Sequence, residues 1–245
     1  MNDSVSRETP PTPVSARGVF SLRLPLAERY CALLADDGVV RGLIGPREAP
    51  RLWERHLLNC AVLGEAIGPD LSVADIGSGA GLPGLVLAIA RPDLTLTLVE
   101  PLLRRTTFLD EVVADLGLDN VEVVRGRAEE LHGTREFDVV TSRAVAPLGR
   151  LLDWSMPLVR QGGHLVAMKG SSVGEEIEAA APELTRYGAG EVRVRAVGAE
   201  ILDPPTTVLT VEATRPSRLG WEPAPPRGGD TASGPARSRR KGRRK

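Results

Sequence analysis

Leu71-Ser-Val-Ala-Asp-Ile-Gly-Ser-Gly-Ala-Gly-Leu-Pro-Gly84 is the stretch that decides the fold. Residues 71–76 form an apolar run that is short enough for a buried strand, and a turn with three alternating glycines follows it. Apolar residues then recur over 85–90 with the spacing of a helix, which ends before Pro92. Strand, glycine turn and helix in this order predict the first crossover of a nucleotide-binding α/β sheet. Glycines suit such a turn because the backbone bends sharply and lies against a ligand.

The glycine turn fits two kinds of cofactor loop. Residues 79–84 match Gly-x-Gly-x-x-Gly, the dinucleotide fingerprint that binds a pyrophosphate at a helix N-terminus. Residues 75–81 match Asp-x-Gly-x-Gly-x-Gly, the loop of S-adenosylmethionine (SAM) methyltransferases. The apolar run ends at residue 76, so the dinucleotide fingerprint would begin two residues late and would leave Asp75 in the strand without a role. The position of the strand end therefore favours SAM.

An acidic residue follows the glycines at the distance expected of a ribose ligand. Residues 94–100, Leu-Thr-Leu-Thr-Leu-Val-Glu, alternate in polarity and are predicted to be the second strand. Glu100 lies 19 residues after Gly81 (100 − 81). At this spacing a carboxylate at the tip of the second strand accepts hydrogen bonds from a ribose diol. We therefore expect Glu100 to bind the ribose of the cofactor.

Length and composition narrow the class of protein. A chain of 245 residues with 42% apolar residues predicts one α/β domain with additions at its ends. Cys31 and Cys60 are too few and too far apart for a disulfide framework or a zinc site. No apolar stretch reaches the roughly 18 residues of a membrane span. Residues 1–14 are polar and lack the apolar segment of a signal peptide, so we expect a cytoplasmic protein.

The net charge of −1 conceals an asymmetry along the chain. Residues 214–245 hold ten Lys/Arg and two acids, a charge of +8. The remaining 213 residues hold 21 basic (31 − 10) and 30 acidic (32 − 2) groups, a charge of −9. An acidic body with a basic tail predicts an anionic partner.

The domain boundaries follow from composition and periodicity. Residues 1–17 are polar and proline-rich and are expected to be disordered. Helical patterns over residues 18–68 form an N-terminal cap of a domain that spans residues 18–213. Residues 214–245 are rich in Pro, Gly and Arg and are expected to be a disordered basic tail.

Seven strands are predicted within the domain. Five of them alternate with helices, and the last two have no helix between them, so they form an antiparallel pair. The predicted strands cover residues 71–76, 94–100, 121–124, 137–141, 164–168, 192–197 and 207–213. The predicted fold class is therefore α/β, a SAM-dependent methyltransferase Rossmann-like fold with a mainly parallel central sheet, a terminal antiparallel pair and an N-terminal helical cap.

The residues after the fourth strand limit the reaction. Methyltransferases of base amines carry Asp/Asn-Pro-Pro-aromatic there, whereas this chain has Ser142-Arg143-Ala144. Asp203-Pro204-Pro205 lies far downstream and is predicted to be a loop. Cytosine-C5 enzymes need a Pro-Cys nucleophile, and neither cysteine follows a proline. Without a nucleophile or a general base, the acceptor that fits is guanine N7, which carries an exposed lone pair and needs only alignment with the methyl group.

Five motifs carry a resemblance to a known family, and it runs from about residue 22 to residue 213. They are Trp53-Glu-Arg-His-Leu-Leu-Asn59, Asp75-Ile-Gly-Ser-Gly-Ala-Gly-Leu-Pro-Gly84, Arg125-Gly-Arg-Ala-Glu-Glu130, Thr141-Ser-Arg-Ala144 and Met168-Lys-Gly170. The chain resembles the bacterial small-subunit ribosomal RNA guanine-N7 methyltransferases, the RsmG or glucose-inhibited division protein B family. The family often has Asp-Ser where this chain has Asn59-Cys60, so these two residues are given no role.

The resemblance implies a SAM-dependent enzyme that methylates one guanine N7 in the decoding-region loop of 16S ribosomal RNA. Its partner would be 16S ribosomal RNA or the small ribosomal subunit, and we expect a monomer without a metal. SAM contacts are implied for Gly77, for Leu82, for the backbone at Ala128-Glu129 and for Arg143. Two rivals stay open: a SAM methyltransferase of a small molecule or protein, and a catalytically idle RNA-binding protein with this fold.

The candidate site residues fall into two groups. The predicted cofactor ligands are Asp75, Gly77, Gly79, Gly81, Leu82, Glu100, Ala128, Glu129 and Arg143. The candidates for positioning the substrate are Arg143, Lys169, His56 and Arg55. Lys169 is expected at the pocket mouth, where it would touch an anionic substrate, whereas Arg104-Arg105 is expected on a solvated helix face.

Overall fold

A seven-stranded sheet runs through the protein, whose computed structural model describes residues 10–143 and 146–216. The strands are β1 Ser72–Ile76, β2 Thr95–Glu100, β3 Val121–Arg125, β4 Phe137–Arg143, β5 Val159–Lys169, β6 Ala189–Val197 and β7 Thr206–Ala213. Their order across the sheet is β3-β2-β1-β4-β5-β7-β6. The first five strands pair in parallel, and β7 pairs antiparallel with both β5 and β6. The predicted α/β class with a terminal antiparallel pair is confirmed.

Helices cover both faces of the sheet. The α-helices are α1 Val14–Phe20, α2 Leu24–Leu33, α3 Asn59–Ala61, α4 Gly84–Ala90, α5 Leu103–Leu116, α6 Ala128–Leu131, α7 Leu148–Ser155, α8 Val173–Ala179 and α9 Ala181–Arg186. Short 3₁₀ segments cover Ser21–Arg23, Ala49–Arg51, Val62–Ala66 and Met156–Leu158, and π-helical segments cover Leu34–Gly38 and Leu52–Leu58. In the described part of the chain, no helix has both the length and the hydropathy to cross a membrane.

The core consists of two apolar clusters, one on each face of the sheet. Successive strand residues point to opposite faces, so Val73 belongs to one cluster and Ala74 to the other. The cluster of Val73 also contains side chains of α1, α2, α4 and α5, whereas that of Ala74 contains side chains of α7. Asp75 lies two residues after Val73 and shares its face. The carboxyl end of β1 therefore opens toward the helical cap.

The helical cap begins earlier than the sequence predicted. The expected disordered segment ended at residue 17, but α1 begins at Val14. Ala16 and Phe20 are buried, and the Phe20 ring meets the Trp53 ring edge-on at 6.2 Å between centroids. Burial of these side chains stabilises α1. The polar residues around them led the sequence to predict disorder there instead of a helix. Residues 1–9 and 217–245, which hold most of the expected disordered segments, lie outside the described residues.

The fifth strand begins five residues before the strand predicted at residues 164–168. β5 begins at Val159, and Gly162 and Gly163 lie in an irregularity of its pairing with β4. Phe137 pairs with Val159 and Val139 with His164, so five steps on β5 match two on β4. The extra residues bulge out of the sheet, which a turn-like glycine pattern permits.

Candidate active site

The glycine loop lies against the carboxyl ends of β1 and β2. Gly77, Gly79 and Gly81 have φ values of 72°, 61° and 96°, which lie in the region that L side chains rarely adopt. The N–H groups of Gly77 and Ser78 both donate to the Val99 carbonyl, at 2.9 and 3.2 Å. The loop is therefore fixed across the end of β2, in the position that the sequence predicted for a cofactor loop.

The glycines of this loop are required for different reasons. A Cβ at Gly81 would lie 2.4 Å from Leu85 Cδ1 and 2.9 Å from the Tyr30 hydroxyl, so the protein itself fills that space. Tyr30 is fully buried and donates to the Ala80 carbonyl at 2.7 Å, which ties the loop to the helical cap. A Cβ at Gly79 would meet no atom nearer than 3.8 Å. The space beside Gly79 is therefore open to a ligand.

Gly79→Val is expected to give a folded protein that does not bind SAM. The side chain would project into open space, and the left-handed backbone would cost about 1–2 kcal/mol. Gly81→Ala is the matched control and is expected to lower the stability of the fold itself by about 1–3 kcal/mol through overpacking. Thermal unfolding and SAM calorimetry on both variants separate the two effects. Wild-type SAM affinity in Gly79→Val would show that the loop does not face the cofactor.

Asp75 is a fully buried carboxylate at the end of β1. Its Oδ2 accepts the N–H of Gly84 at 3.0 Å, which holds the first turn of α4 against the strand. Its Oδ1 has no hydrogen-bond partner among the described residues. Burial raises the pKa of Asp75 to about 7, and the bond from Gly84 and the charge of Arg143 only partly oppose this.

Glu100 lies opposite the glycine loop, as its spacing predicted. This carboxylate is 1% exposed, and its Oε1 accepts the N–H of Leu102 at 3.0 Å. Its Oε2 accepts the N–H of Gly79 at 3.1 Å and the guanidinium of Arg105 at 3.2 Å. An ionised carboxylate has about four acceptor positions, so one more hydroxyl can bind. Arg105 was expected on a solvated face and is instead half-buried by this ion pair with the strand-end carboxylate.

Three other predicted cofactor contacts lie near the same edge of the sheet. Ala128 is buried and begins α6, and Glu129 beside it is exposed. The preceding loop is tied to β2, because the N–H of Gly126 donates to the Glu100 carbonyl at 3.2 Å. Leu82 is buried at the end of the glycine loop.

Arg143, at the end of β4, joins the sheet to the helical cap. Its Nη1 lies 3.0 Å from His56 Nδ1 and 3.7 Å from Cys60 Sγ. His56 Nε2 in turn lies 2.9 Å from Glu48 Oε2, and Arg55 contacts the other oxygen of Glu48 at 3.3 Å. The structure thus brings together three predicted residues, Arg143, His56 and Arg55.

Two members of this cluster, Glu48 and Cys60, were not among the site residues predicted from the sequence. Glu48 lies in a turn that carries no motif, and Cys60 was given no role because it departs from the family pattern. Burial raises the pKa of the Cys60 thiol to about 11 despite the nearby charge of Arg143. The small Cys60 thiol leaves room for the Arg143 guanidinium beside α3. The spacing of residues in the sequence does not predict this contact.

A cavity of about 1390 Å³ opens beside this cluster. Its walls include His56, Arg143 and residues 201–207, which comprise the predicted Asp203-Pro204-Pro205 loop and the start of β7. Neither Asp75 nor Glu100 lines it, so the cavity is adjacent to the predicted cofactor position rather than identical with it. Among the predicted cofactor ligands, Arg143 lines this cavity, at the end of β4.

Comparison with known proteins identifies the family. The model described as rRNA small subunit methyltransferase G, GidB, matches residues 23–203. The chain belongs to this family. It is 65% identical over 228 residues to the ribosomal RNA small subunit methyltransferase G of Nocardioides sp., covering 93% of this chain and 91% of the relative. It is 56% identical over 213 residues to that of Thermobifida fusca, covering 87% and 90%. The predicted family and the predicted class, a methyltransferase, are confirmed.

Solved structures of distant proteins share the fold. The M. jannaschii TYW2 structure in complex with AdoMet has a TM-score of 0.51 at 15% identity and covers 65% of this chain and 76% of that chain. The putative transferase PH0793 from Pyrococcus horikoshii has a TM-score of 0.50 at 14% identity, with coverages of 62% and 60%. At these identities the similarity shows the fold alone, and it agrees with the Rossmann-like arrangement predicted for this member of the methyltransferase G family.

Lys169 lines the cavity, as expected of a residue at the pocket mouth, but its ammonium group is paired within the protein, and its contact with an anionic substrate stays a prediction. Its side chain is 7% exposed, and Nζ donates to Glu176 Oε2 at 2.7 Å and to the Ala146 carbonyl at 3.4 Å. The same Glu176 oxygen accepts the N–H of Leu148 at 3.1 Å. The ammonium charge is thus neutralised by α8, and Lys169 fixes this helix and the start of α7 to the end of β5.

Proposed function

We propose that this protein transfers the methyl group of SAM to N7 of a guanine in the decoding-region loop of 16S ribosomal RNA. The observation that carries the proposal is the place of Arg143, a predicted cofactor ligand at the end of β4 that also lines a cavity large enough for a nucleotide. Membership in the methyltransferase G family supports ribosomal RNA of the small subunit as substrate.

The residues at the ends of β1 and β2 fit SAM. Asp75 Oδ1 is a buried acceptor without a partner among the described residues, which suits the cationic amino group of the methionine moiety. The open side of Gly79 and the remaining acceptor position of Glu100 suit the ribose. When bound, SAM supplies a methyl group on a positively charged sulfur. The residues that would hold it are Asp75, Gly77, Gly79, Gly81, Leu82, Glu100, Ala128, Glu129 and Arg143.

The chemistry of the cavity supports an acceptor that needs no deprotonation. His56 presents one ring nitrogen to Arg143 and the other to Glu48, so neither is free to take a proton from the substrate while these contacts are in place. Cys60 stays a thiol at neutral pH, because its pKa is raised to about 11. Guanine N7 offers its lone pair directly, so the protein's task is to align it with the methyl group.

The acidic residues of the cavity suit the product. Methylation at N7 leaves the purine cationic, and the walls include the carboxylates of Glu54 and Asp203. An acid near the ring lowers the energy of a developing positive charge. Arg143 carries the opposite charge, and we therefore assign it to the methionine carboxylate of SAM rather than to the base.

A methyl-transfer assay with labelled SAM tests the proposal. The substrates are naked 16S RNA and small subunits from a strain in which the gene has been deleted, and Gly79→Val is the inactive control. We expect 7-methylguanine, detected as strand scission after borohydride and aniline treatment. A methyl group on an exocyclic amine or a ribose oxygen, transfer only to small molecules or proteins, or RNA binding without transfer would each contradict it.

The oligomeric state and the compartment of the enzyme are also part of the proposal. We propose that the enzyme acts as a cytoplasmic monomer. Sedimentation equilibrium with and without SAM measures the mass. A dimer as the active species would contradict this part. Residues 217–245 of the basic tail lie outside the described residues, and contact of the tail with RNA phosphate stays a prediction; deleting residues 215–245 should then reduce the salt dependence of RNA binding.

A further inference from the structure

Three side chains from different parts of the chain form a line that ends at Arg143. Glu48 lies in the turn before Ala49–Arg51, His56 lies in the segment Leu52–Leu58, and Arg143 ends β4. The separations are 2.9 Å from Glu48 Oε2 to His56 Nε2 and 3.0 Å from His56 Nδ1 to Arg143 Nη1. Both are hydrogen-bond distances, and His56 is 7% exposed.

Chemistry fixes the protons along this line. A guanidinium can only donate, so Nδ1 of His56 must accept from Arg143 and carries no proton. A carboxylate can only accept, so Nε2 must donate to Glu48. His56 is therefore neutral, with its proton on Nε2. In this form it satisfies both neighbours, whereas the other tautomer would satisfy neither.

We propose that Glu48 and His56 form a relay of hydrogen bonds that holds the Arg143 guanidinium in the position required for methyl transfer. The inference rests on the proposed function, in which Arg143 contacts the cofactor. His56 and Glu48 are positioning residues, since they act on the reaction through Arg143. Glu48 sets the tautomer of His56, and His56 sets the direction of one N–H bond of the guanidinium.

The groups around His56 make the relay sensitive to acid. Glu48 and Arg55 face it from the cap, and Arg143 and Cys60 lie on its other side. Burial and the charge of Arg143 lower the pKa of His56 below its usual 6.5, and Glu48 partly opposes this. Below that pKa, Nδ1 carries a proton and faces a guanidinium of the same charge. The contact with Arg143 is then lost, so turnover falls on the acid side.

Turnover of four variants tests the relay. His56→Ala is expected to lower kcat about tenfold or more, the effect of losing one charged hydrogen bond, and Arg143→Ala sets the lower limit. His56→Asn retains an oxygen acceptor near the Nδ1 position but cannot titrate, so it should recover part of kcat and lack the acid limb that His56 causes. His164 lies in β5 outside the cavity lining. His164→Ala is therefore the control and should retain the acid limb of the pH–kcat profile.

Histidine NMR of the SAM-free protein tests the relay without activity. Long-range ¹H–¹⁵N spectra report the tautomer and the pKa of His56, and we expect a proton on Nε2. Arg143→Ala should raise the pKa of His56, because a positive neighbour is removed, and Glu48→Gln should lower it, because a negative neighbour is removed. Circular dichroism establishes that each variant is folded.

The two readouts separate the relay from the proposed function. A proton on Nδ1, or a pKa of His56 that does not change in Arg143→Ala and Glu48→Gln, overturns the relay even if the enzyme makes 7-methylguanine. An absent product with the expected tautomer and pKa changes overturns the function and leaves the arrangement of Glu48, His56 and Arg143 standing. Wild-type kcat and pH dependence in folded His56→Ala would also overturn the relay.

Discussion

Glu100→Ala is expected to weaken SAM binding by about 10- to 100-fold. The ribose would lose a charged acceptor, and a hydrogen bond to a charged group contributes about 1.5–3 kcal/mol. The substitution also leaves three donors in the protein without their acceptor: the N–H groups of Gly79 and Leu102 and the guanidinium of Arg105. We therefore expect a looser glycine loop and a lower unfolding temperature in addition to the loss of affinity.

Two matched variants separate the ribose contact from the support of the loop. In Glu100→Gln one carboxylate oxygen becomes an amide NH₂, and both oxygens of Glu100 face donors, so this variant should be intermediate. Arg105→Ala removes the ion pair but retains the carboxylate, and it should still bind SAM. Calorimetry with SAM and with NAD on all three proteins measures the effect. Wild-type SAM affinity in Glu100→Ala, or tight binding of NAD, would contradict the assignment.

The features that the sequence predicted correctly are local in the chain. The apolar run before Gly77, the turn and the 19-residue spacing to Glu100 (100 − 81) all lie in one segment of about thirty residues. The backbone of a parallel α/β unit has few alternatives, so such a segment determines strand order and the place of its carboxylates. For this reason the sheet and the place of Glu100 at the tip of β2 were predicted.

The features that the sequence did not predict depend on distant partners. Arg143 and His56 are separated by 87 positions, and only the packing of the cap against β4 places them at 3.0 Å. Lys169 ends a strand as expected, but α8 supplies the Glu176 carboxylate that neutralises it. Buried ion pairs of this kind depend on how elements pack together, and a residue pattern contains no information about that packing.

Affinity for SAM is expected to rise with pH up to about 7 because of Asp75. Burial raises the pKa of Asp75 to about 7 in the SAM-free protein, from an ordinary value of 3.8. Below pH 7 this carboxyl is therefore protonated and offers no charge to the amino group of SAM. A bound cation beside Oδ1 favours the ionised form, so binding releases a proton. Linkage then predicts a loss of affinity of up to about tenfold for each pH unit below 7.

Asp75 gives the stability of the SAM-free fold the opposite pH dependence, because stability falls as pH rises whereas SAM affinity increases. A carboxyl whose pKa is higher in the folded state binds more protons there than in the unfolded chain. Its contribution to the free energy of unfolding is present below about pH 4 and is lost as pH rises toward 7, by up to about 1.4 kcal/mol per unit. SAM-free wild type should therefore become less stable relative to Asp75→Asn across this range, since the amide oxygen can still accept from Gly84 but cannot titrate.

Calorimetry in two buffers with different ionisation enthalpies measures the released proton directly. At about pH 6, near one pH unit below the pKa of Asp75, wild type should release close to one proton per SAM bound. Asp75→Asn should bind SAM more weakly and release fewer protons. His56→Asn should release as many protons as wild type, so the comparison distinguishes Asp75 from His56 as the group that loses the proton. A pH-independent affinity between about pH 5.5 and 8, or equal proton release in Asp75→Asn, would show that the amino group of SAM is bound elsewhere.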